Sequence, residues 1–217
     1  MFLVVSISIV GEYVDETHIP PTFPEKDNFP TQLSSWDTSL FVWVNIDLSN
    51  HIAGQILLVV TLLGSFSASM IVCGFLLLSG DRRRGIIASS SIILVTIFTI
   101  ILKTIVARPR PFTAVPGAIA VVLETGSSFP SGHASRVFSL LDLTRGTSKR
   151  LRVVSYSLAS LVIFSRVYLG VHYPLDVLCG ALLGYASGRV VQHYEKWLVP
   201  KVEVAMGHLK LVSPSNP

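Results

Sequence analysis

The chain has 217 residues, half of them hydrophobic and 14% charged, against roughly 25% charged residues in soluble globular domains. With a mean hydropathy of +0.61, this composition excludes an ordinary soluble domain and predicts one polytopic membrane domain over residues 1–217. The formal charge of +4 is divided along the chain as membrane topology divides it, so nucleic acid is not an expected partner.

Met1–Val10 is apolar, yet it lacks a basic stretch and an A-x-A-like cleavage site, which argues against a removable signal peptide. Met1–Val14 is short for a span and reads as a truncated first helix or an interfacial segment. Gly11–Ile52 carries seven acids (Glu12, Asp15, Glu16, Glu25, Asp27, Asp37 and Asp47) against Lys26, a balance of −6 that leaves +10 for the rest. Residues 1–52 are therefore expected outside. Pro20, Pro21, Pro24 and Pro30 predict an irregular loop there. After it, Leu33, Trp36, Leu40, Trp43, Val44 and Leu48 recur at helical spacing and predict a helix lying in the outer interface.

Residues 53–199 form the expected transmembrane bundle. Ala53–Ser79, Gly85–Lys103, Val153–Val171 and Leu175–Val199 are long and apolar enough to cross a bilayer. Ser131–Leu143 is shorter and holds Arg136 and Asp142, but the charge pattern calls for a crossing there. The fold class is thus all-α, a bundle of five or six membrane helices. Arg82, Arg83 and Arg84, and then Arg145, Lys149, Arg150 and Arg152, mark two short loops as cytoplasmic. Residues 200–217 read as a cytoplasmic tail, partly disordered. Cys73 and Cys179 lie in apolar runs, with neither a disulfide pattern nor zinc-ligand spacing.

Charges inside spans mark function by default. Lys103, Arg110, His133, Arg166, His172 and Asp176 all fall at the outer ends of their segments in this topology, although only the loop charges were used to set it. Three fixed cations suit a tetrahedral dianion: arginine forks onto phosphate oxygens and lysine gives a point charge. Pro130–Ser131–Gly132 at a helix start offers backbone N–H groups. His172 and His133 supply a nucleophile and a proton donor, and Asp176, four residues after His172, is in reach to orient its ring. Pro174 suits the first position of the last helix. Gly180, Gly184 and Gly188 repeat at four-residue spacing and predict close helix packing. His18, His51, His193 and His208 have no such context.

Lys103 with Arg110–Pro111 spells KX6RP, Pro130–His133 spells PSGH, and Ser165–Arg166, His172 and Asp176 spell SRX5HX3D. In this order the three motifs resemble the type 2 phosphatidic acid phosphatase superfamily, whose wider group includes vanadium haloperoxidases and glucose-6-phosphatase. The resemblance implies that His172 attacks phosphorus to give a phosphohistidine, that Asp176 orients it, and that His133 protonates the leaving oxygen and then helps activate water. Lys103, Arg110 and Arg166, with Ser131 and the Gly132 amide, would hold the phosphoryl oxygens. It implies no metal and no cofactor.

The implied substrate is a lipid phosphate or diphosphate at the outer face: a polyprenyl diphosphate, phosphatidylglycerol phosphate, phosphatidate or a lipid A phosphate. A compact chain, and Arg108 placed to touch a distal phosphate, favour the polyprenyl diphosphate; a surface or headgroup contact is the other reading of Arg108. Arg136, where such sequences are usually apolar, reads as lining the site, as pairing with a lipid headgroup or as a structural ion-pair partner. Two other functions fit the same residues. One is a phosphotransferase passing phosphate to an alcohol, and the other is a non-enzymatic lipid or anion binder or transporter. The spans exclude a soluble haloperoxidase. The sequence is silent on oligomeric state.

Overall fold

The computed structural model describes residues 31–208, and every regular element among them is helical. The expectation for Met1–Val14 falls outside the described residues. Helix α1 (Thr31–Val42) continues as a wider π-helical turn, Trp43–Asp47. The chain then bends by 116° into α2 (His51–Thr61), started by Asn50, whose Oδ1 accepts from the amides of Ile52 and Ala53. A helix is therefore present where the Leu33–Leu48 periodicity predicts one, turned sharply from α2. Asn45 ties it down, donating to the carbonyls of Ile119 (2.9 Å) and Tyr168 (2.8 Å).

The single span expected over Ala53–Ser79 is broken. A 3-10 turn (Leu62–Gly64) separates α2 from α3 (Phe66–Leu78), and extended Ser65 caps α3 by accepting from the Ala68 amide. The break follows from packing. A Cβ on Gly64 would lie 3.0 Å from the His133 Cβ and 2.8 Å from a Val162 methyl, so backbone presses directly on the middle of the bundle. Hydropathy runs through this point unchanged, which is why composition hides it.

Helix α4 (Arg82–Val106) has 25 residues, about 37 Å of helix, and α7 (Lys149–Tyr168) has 20. Among the described residues these are the two helices long and apolar enough by themselves to cross a membrane; the bent pair around Asn50 makes up to three. After α4, Ala107 turns left-handed at φ 49° and Arg108-Pro-Arg-Pro cannot continue the helix. The one-turn α5 (Pro111–Ala114) follows. Helix α6 (Gly132–Ser139) and the 3-10 turn Leu141–Thr144 together reach about 20 Å, short of a bilayer core of about 30 Å. The segment expected as the fourth crossing is thus enclosed by protein, running from the His133 end of the bundle to the end where Asp142 meets Arg189. It packs on α4, α7 and α8, and a helix covered by protein need not match the lipid thickness.

Helix α8 (Pro174–His193) holds α6 through its glycines. Cβ atoms on Gly180, Gly184 and Gly188 would lie 2.5, 2.1 and 2.5 Å from the carbonyl oxygens of Ser131, Ser135 and Ser139. The backbones touch, and no larger residue fits. Helix α9 (Glu195–His208) makes the start of the expected tail helical. Ile71, Phe75 and Leu78 on α3, Ile93 and Ile105 on α4, and Leu182 on α8 point outward and exposed. Apolar surface of this extent needs lipid around it, and the chain is an integral membrane protein.

Candidate active site

Four segment ends meet at one end of the bundle: the C-termini of α4 and α7 and the N-termini of α6 and α8. The basic loops gather at the other end, where Arg83 pairs with Glu195 (2.5 Å) and Arg189 lies 3.6 Å from Asp142. All eight sequence-expected site residues sit at the first end.

His172 lies in the tight connection from α7 to α8 and is buried. Burial disfavours its charged form, and the positive charges of Arg166 and Arg110 add to this, so its pKa falls well below the ordinary histidine value. A neutral imidazole at pH 7 is what a nucleophile requires. Its Nδ1 is 3.7 Å from Asp176 Oδ2 and makes no hydrogen bond among the described residues. The pair is adjacent but not closed. Asp176 is fixed elsewhere: Oδ1 meets Arg108 Nη1 at 2.7 Å and Oδ2 accepts from the Tyr173 amide at 2.9 Å.

The PSGH segment is docked onto α8 by the Ser131 amide, which donates to the Asp176 carbonyl (3.0 Å). Ser131 Oγ is buried and has no hydrogen-bond partner among the described residues. Gly132 begins α6, and His133 follows on its first turn, within electrostatic reach of Arg166, Glu124, Arg136 and His172.

The cations are already engaged. Lys103 donates to the Ser127 carbonyl. Arg110 donates through Nε to Gly126 O (3.0 Å), Nη1 to Val171 O (3.0 Å) and Nη2 to Thr125 O (3.1 Å), and its Nη1 also meets Glu124 at 2.9 Å. Arg166 donates from Nη1 to Thr61 Oγ1 (2.8 Å) and from Nη2 to Glu124. Its Nε is buried without a partner among the described residues.

Sequence reasoning missed Glu124. Its carboxylate bridges Arg110 and Arg166 and comes within 3.9 Å of His172 Nε2. Burial resists its charge, but the fixed charges of Arg166 and Arg110 outweigh that and hold the carboxyl far below its ordinary range. The signal was present, since Glu124 is the one acid between Asp81 and Asp142. Thr61 and Asp37 were also missed; they reach the site only through the chain break and the α1 crossing.

Arg108 overturns an expectation. It is 2% exposed, lies between Asp37 (2.7 Å) and Asp176 (2.7 Å), and stacks 3.8 Å over the Tyr173 ring. It faces neither a distal phosphate nor the surface, because the left-handed Ala107 turns it inward. Arg136 donates to the Gly64 carbonyl (3.2 Å), so it caps the break in the α2–α3 segment. Among the described residues no group of three or more His, Cys, Asp or Glu is placed to hold a metal ion.

The chain is 36% identical over 131 residues to an undecaprenyl-diphosphatase of Sulfolobus acidocaldarius, covering 59% of this chain and 64% of that protein. It is 37% identical over 121 residues to a decaprenylphosphoryl-5-phosphoribose phosphatase of Mycobacterium tuberculosis, covering 54% of this chain and 65% of that one. It thus spans just under two thirds of the length of these relatives. The crystal structure of LpxE from Aquifex aeolicus superposes with a TM-score of 0.70 at 26% identity, covering 77% of this chain and 98% of that one. A transmembrane PAP2 type phosphatidylglycerolphosphate phosphatase from Bacillus subtilis, at 22% identity, shares the fold with a TM-score of 0.67, over 78% and 89%. The profile of the PAP2 superfamily matches residues 84–200. That stretch exceeds half the chain and holds all three motifs, and the protein belongs to the PAP2 superfamily.

Proposed function

We propose that this protein hydrolyses a lipid phosphate or diphosphate at the extracytoplasmic face of the membrane through a phosphohistidine on His172. The observation that carries the reading is the convergence of a buried, neutral His172 with His133 and with the guanidinium groups of Arg110 and Arg166.

In the proposed reaction the phosphoryl group takes the place of the Glu124 carboxylate on Arg110 and Arg166. Lys103, Ser131 Oγ and the Gly132 amide complete the cradle. His172 Nε2 attacks phosphorus as the bond to the lipid oxygen breaks, and His133, which takes up a proton when the phosphate anion binds beside it, gives that proton to the leaving oxygen. Water then attacks the phosphohistidine, the phosphorus–nitrogen bond breaks, and His133 takes the proton of the water. The arginines stabilise charge growing on the equatorial oxygens, and Asp176 stabilises the His172 ring in its attacking orientation. The chain's own residues supply every step, so neither metal nor cofactor is part of the proposal.

The name of the Sulfolobus relative, an undecaprenyl-diphosphatase, supports a polyprenyl diphosphate substrate, and that of the Mycobacterium relative supports a phosphate on a polyprenyl-linked head; Arg108 no longer supports the diphosphate. A site at the membrane edge suits an apolar tail with a charged head. The test is phosphate release in detergent, with chelator present, across polyprenyl diphosphate, phosphatidylglycerol phosphate, phosphatidate and lipid A phosphate. Preferential release from the polyprenyl diphosphate is expected. Release from none of them contradicts the hydrolase reading, and phosphate appearing on an added alcohol instead of in water supports a transferase.

A further inference from the structure

We propose that Arg108 and Asp37 are positioning residues of the reaction: α1 holds Asp176, and through it His172, by a buried carboxylate–guanidinium–carboxylate bridge. This rests on the reading of His172 and Asp176 as the working pair.

The geometry is closed on every side but one. Arg108 Nη1 donates to Asp176 Oδ1 and its Nη2 forms an ion pair with Asp37 Oδ2, each at 2.7 Å, and the guanidinium lies 3.8 Å over the Tyr173 ring. Asp37 and Asp176 are fully buried. Asp37 Oδ1 also accepts from the Leu175 amide at 2.8 Å, satisfying an otherwise orphaned N–H in the first turn of α8. One acid thus fixes both the guanidinium and the start of the helix that carries Asp176. Asp176 Oδ2 is held by the Tyr173 amide, which leaves its remaining face toward His172 Nδ1. The direction in which that carboxylate can close the 3.7 Å gap is set by the donors behind it.

Charge and shape both matter here. One guanidinium serves two buried carboxyl groups, and the second of them faces His172. Removing the arginine would leave two buried, like-charged acids in its place. A lysine could neutralise but, as a point charge, could not fork to both. Asp37 lies well outside residues 84–200, the stretch that matches the family, so a residue of the N-terminal segment enters the site's second rank.

The experiment compares wild type with D37N, R108K, R108Q, D37N/R108Q, D176N and H172A as full-length protein in detergent. It measures kcat and KM on a short-chain lipid phosphate, inhibition by inorganic phosphate, and the melting temperature. R108Q is expected to lower kcat by about 100-fold, with KM and phosphate inhibition within about threefold, because the loss is confined to the transition state. R108K should recover part of kcat, and D37N should lose about tenfold. Because both act along one bridge, D37N/R108Q should be no worse than R108Q within about twofold. Singles whose losses multiply in the double variant, or losses that follow only the melting temperature, would overturn the bridge. Should R108Q not fold, D37N and R108K keep side-chain volume and decide between kcat loss and none. Full activity in D176N would instead sink the reading of the pair itself.

Discussion

The Glu124 carboxylate sits 3.9 Å from His172 Nε2 while paired with Arg110 at 2.9 Å. An anion is therefore held between the cations and the ring, where a transferring phosphoryl group would have to lie. Glu124 is thereby the counter-ion of Arg110 and Arg166, so that neither guanidinium is buried without a charged partner.

Replacing Glu124 should consequently expose the cradle. E124Q removes the charge and keeps the shape. Vanadate, which mimics the transferring phosphoryl group, is expected to bind about three- to tenfold more tightly to E124Q than to wild type, since it no longer displaces a carboxylate. Weaker vanadate binding would show that Glu124 shapes the cradle and does not occupy it.

The pH dependence follows from His172. Protonating its Nε2 removes the nucleophile, and burial with Arg166 and Arg110 opposes protonation. As pH falls, kcat/KM, which reports the free enzyme, should therefore hold through the ordinary histidine value of about 6.5 and decline only below it. The substrate's own titration has to be divided out. An acid limb centred at or above that value would mean that His172 is not the depressed group.

Packing of α6 on α8 gives a stability prediction. A Cβ at Gly184 would stand 2.1 Å from the Ser135 carbonyl oxygen, so G184V has to push the helices apart and carry the PSGH segment away from His172. A loss of several kcal/mol is expected, at the upper end for single substitutions, seen as a lower melting temperature in detergent together with lost activity. G74V, whose Cβ meets nothing within 4 Å, is the matched control.

Much of this arrangement can be read along the chain, because α4, α7 and α8 are long apolar runs and the motif residues cluster at their ends. What could not be read depends on direction and contact. Hydropathy passes through Gly64 without a mark, though packing against His133 breaks the helix there. Arg108 stands two residues from Arg110, yet the left-handed Ala107 sends one to Asp176 and the other to Glu124. Asp37 and Glu124 come from stretches with no motif, and only the folded chain brings them to the histidines. Helix α6 is shorter than the other spans for a related reason: protein, not lipid, surrounds it.

The side of the membrane that the site faces is open to direct labelling. With Cys73 and Cys179 removed, single cysteines at Gly117 and Ser148 report on the two ends of the bundle. In intact cells a membrane-impermeant maleimide should label position 117 and spare 148, as the Arg82–Arg84 and Arg145–Arg152 loops require. Labelling of 148 alone would place the chemistry on the cytoplasmic leaflet.

The central claim is a phosphohistidine on His172, and trapping it is the most direct measurement. The enzyme would be mixed with phosphorus-labelled polyprenyl diphosphate, quenched within one turnover in alkali, where phosphohistidine survives, and mapped by peptide mass spectrometry. The account predicts acid-labile label on the peptide carrying His172, and none in H172A, which still folds but has lost several orders of magnitude in turnover. Label on a different residue, or H172A turning over within tenfold of wild type, would contradict it.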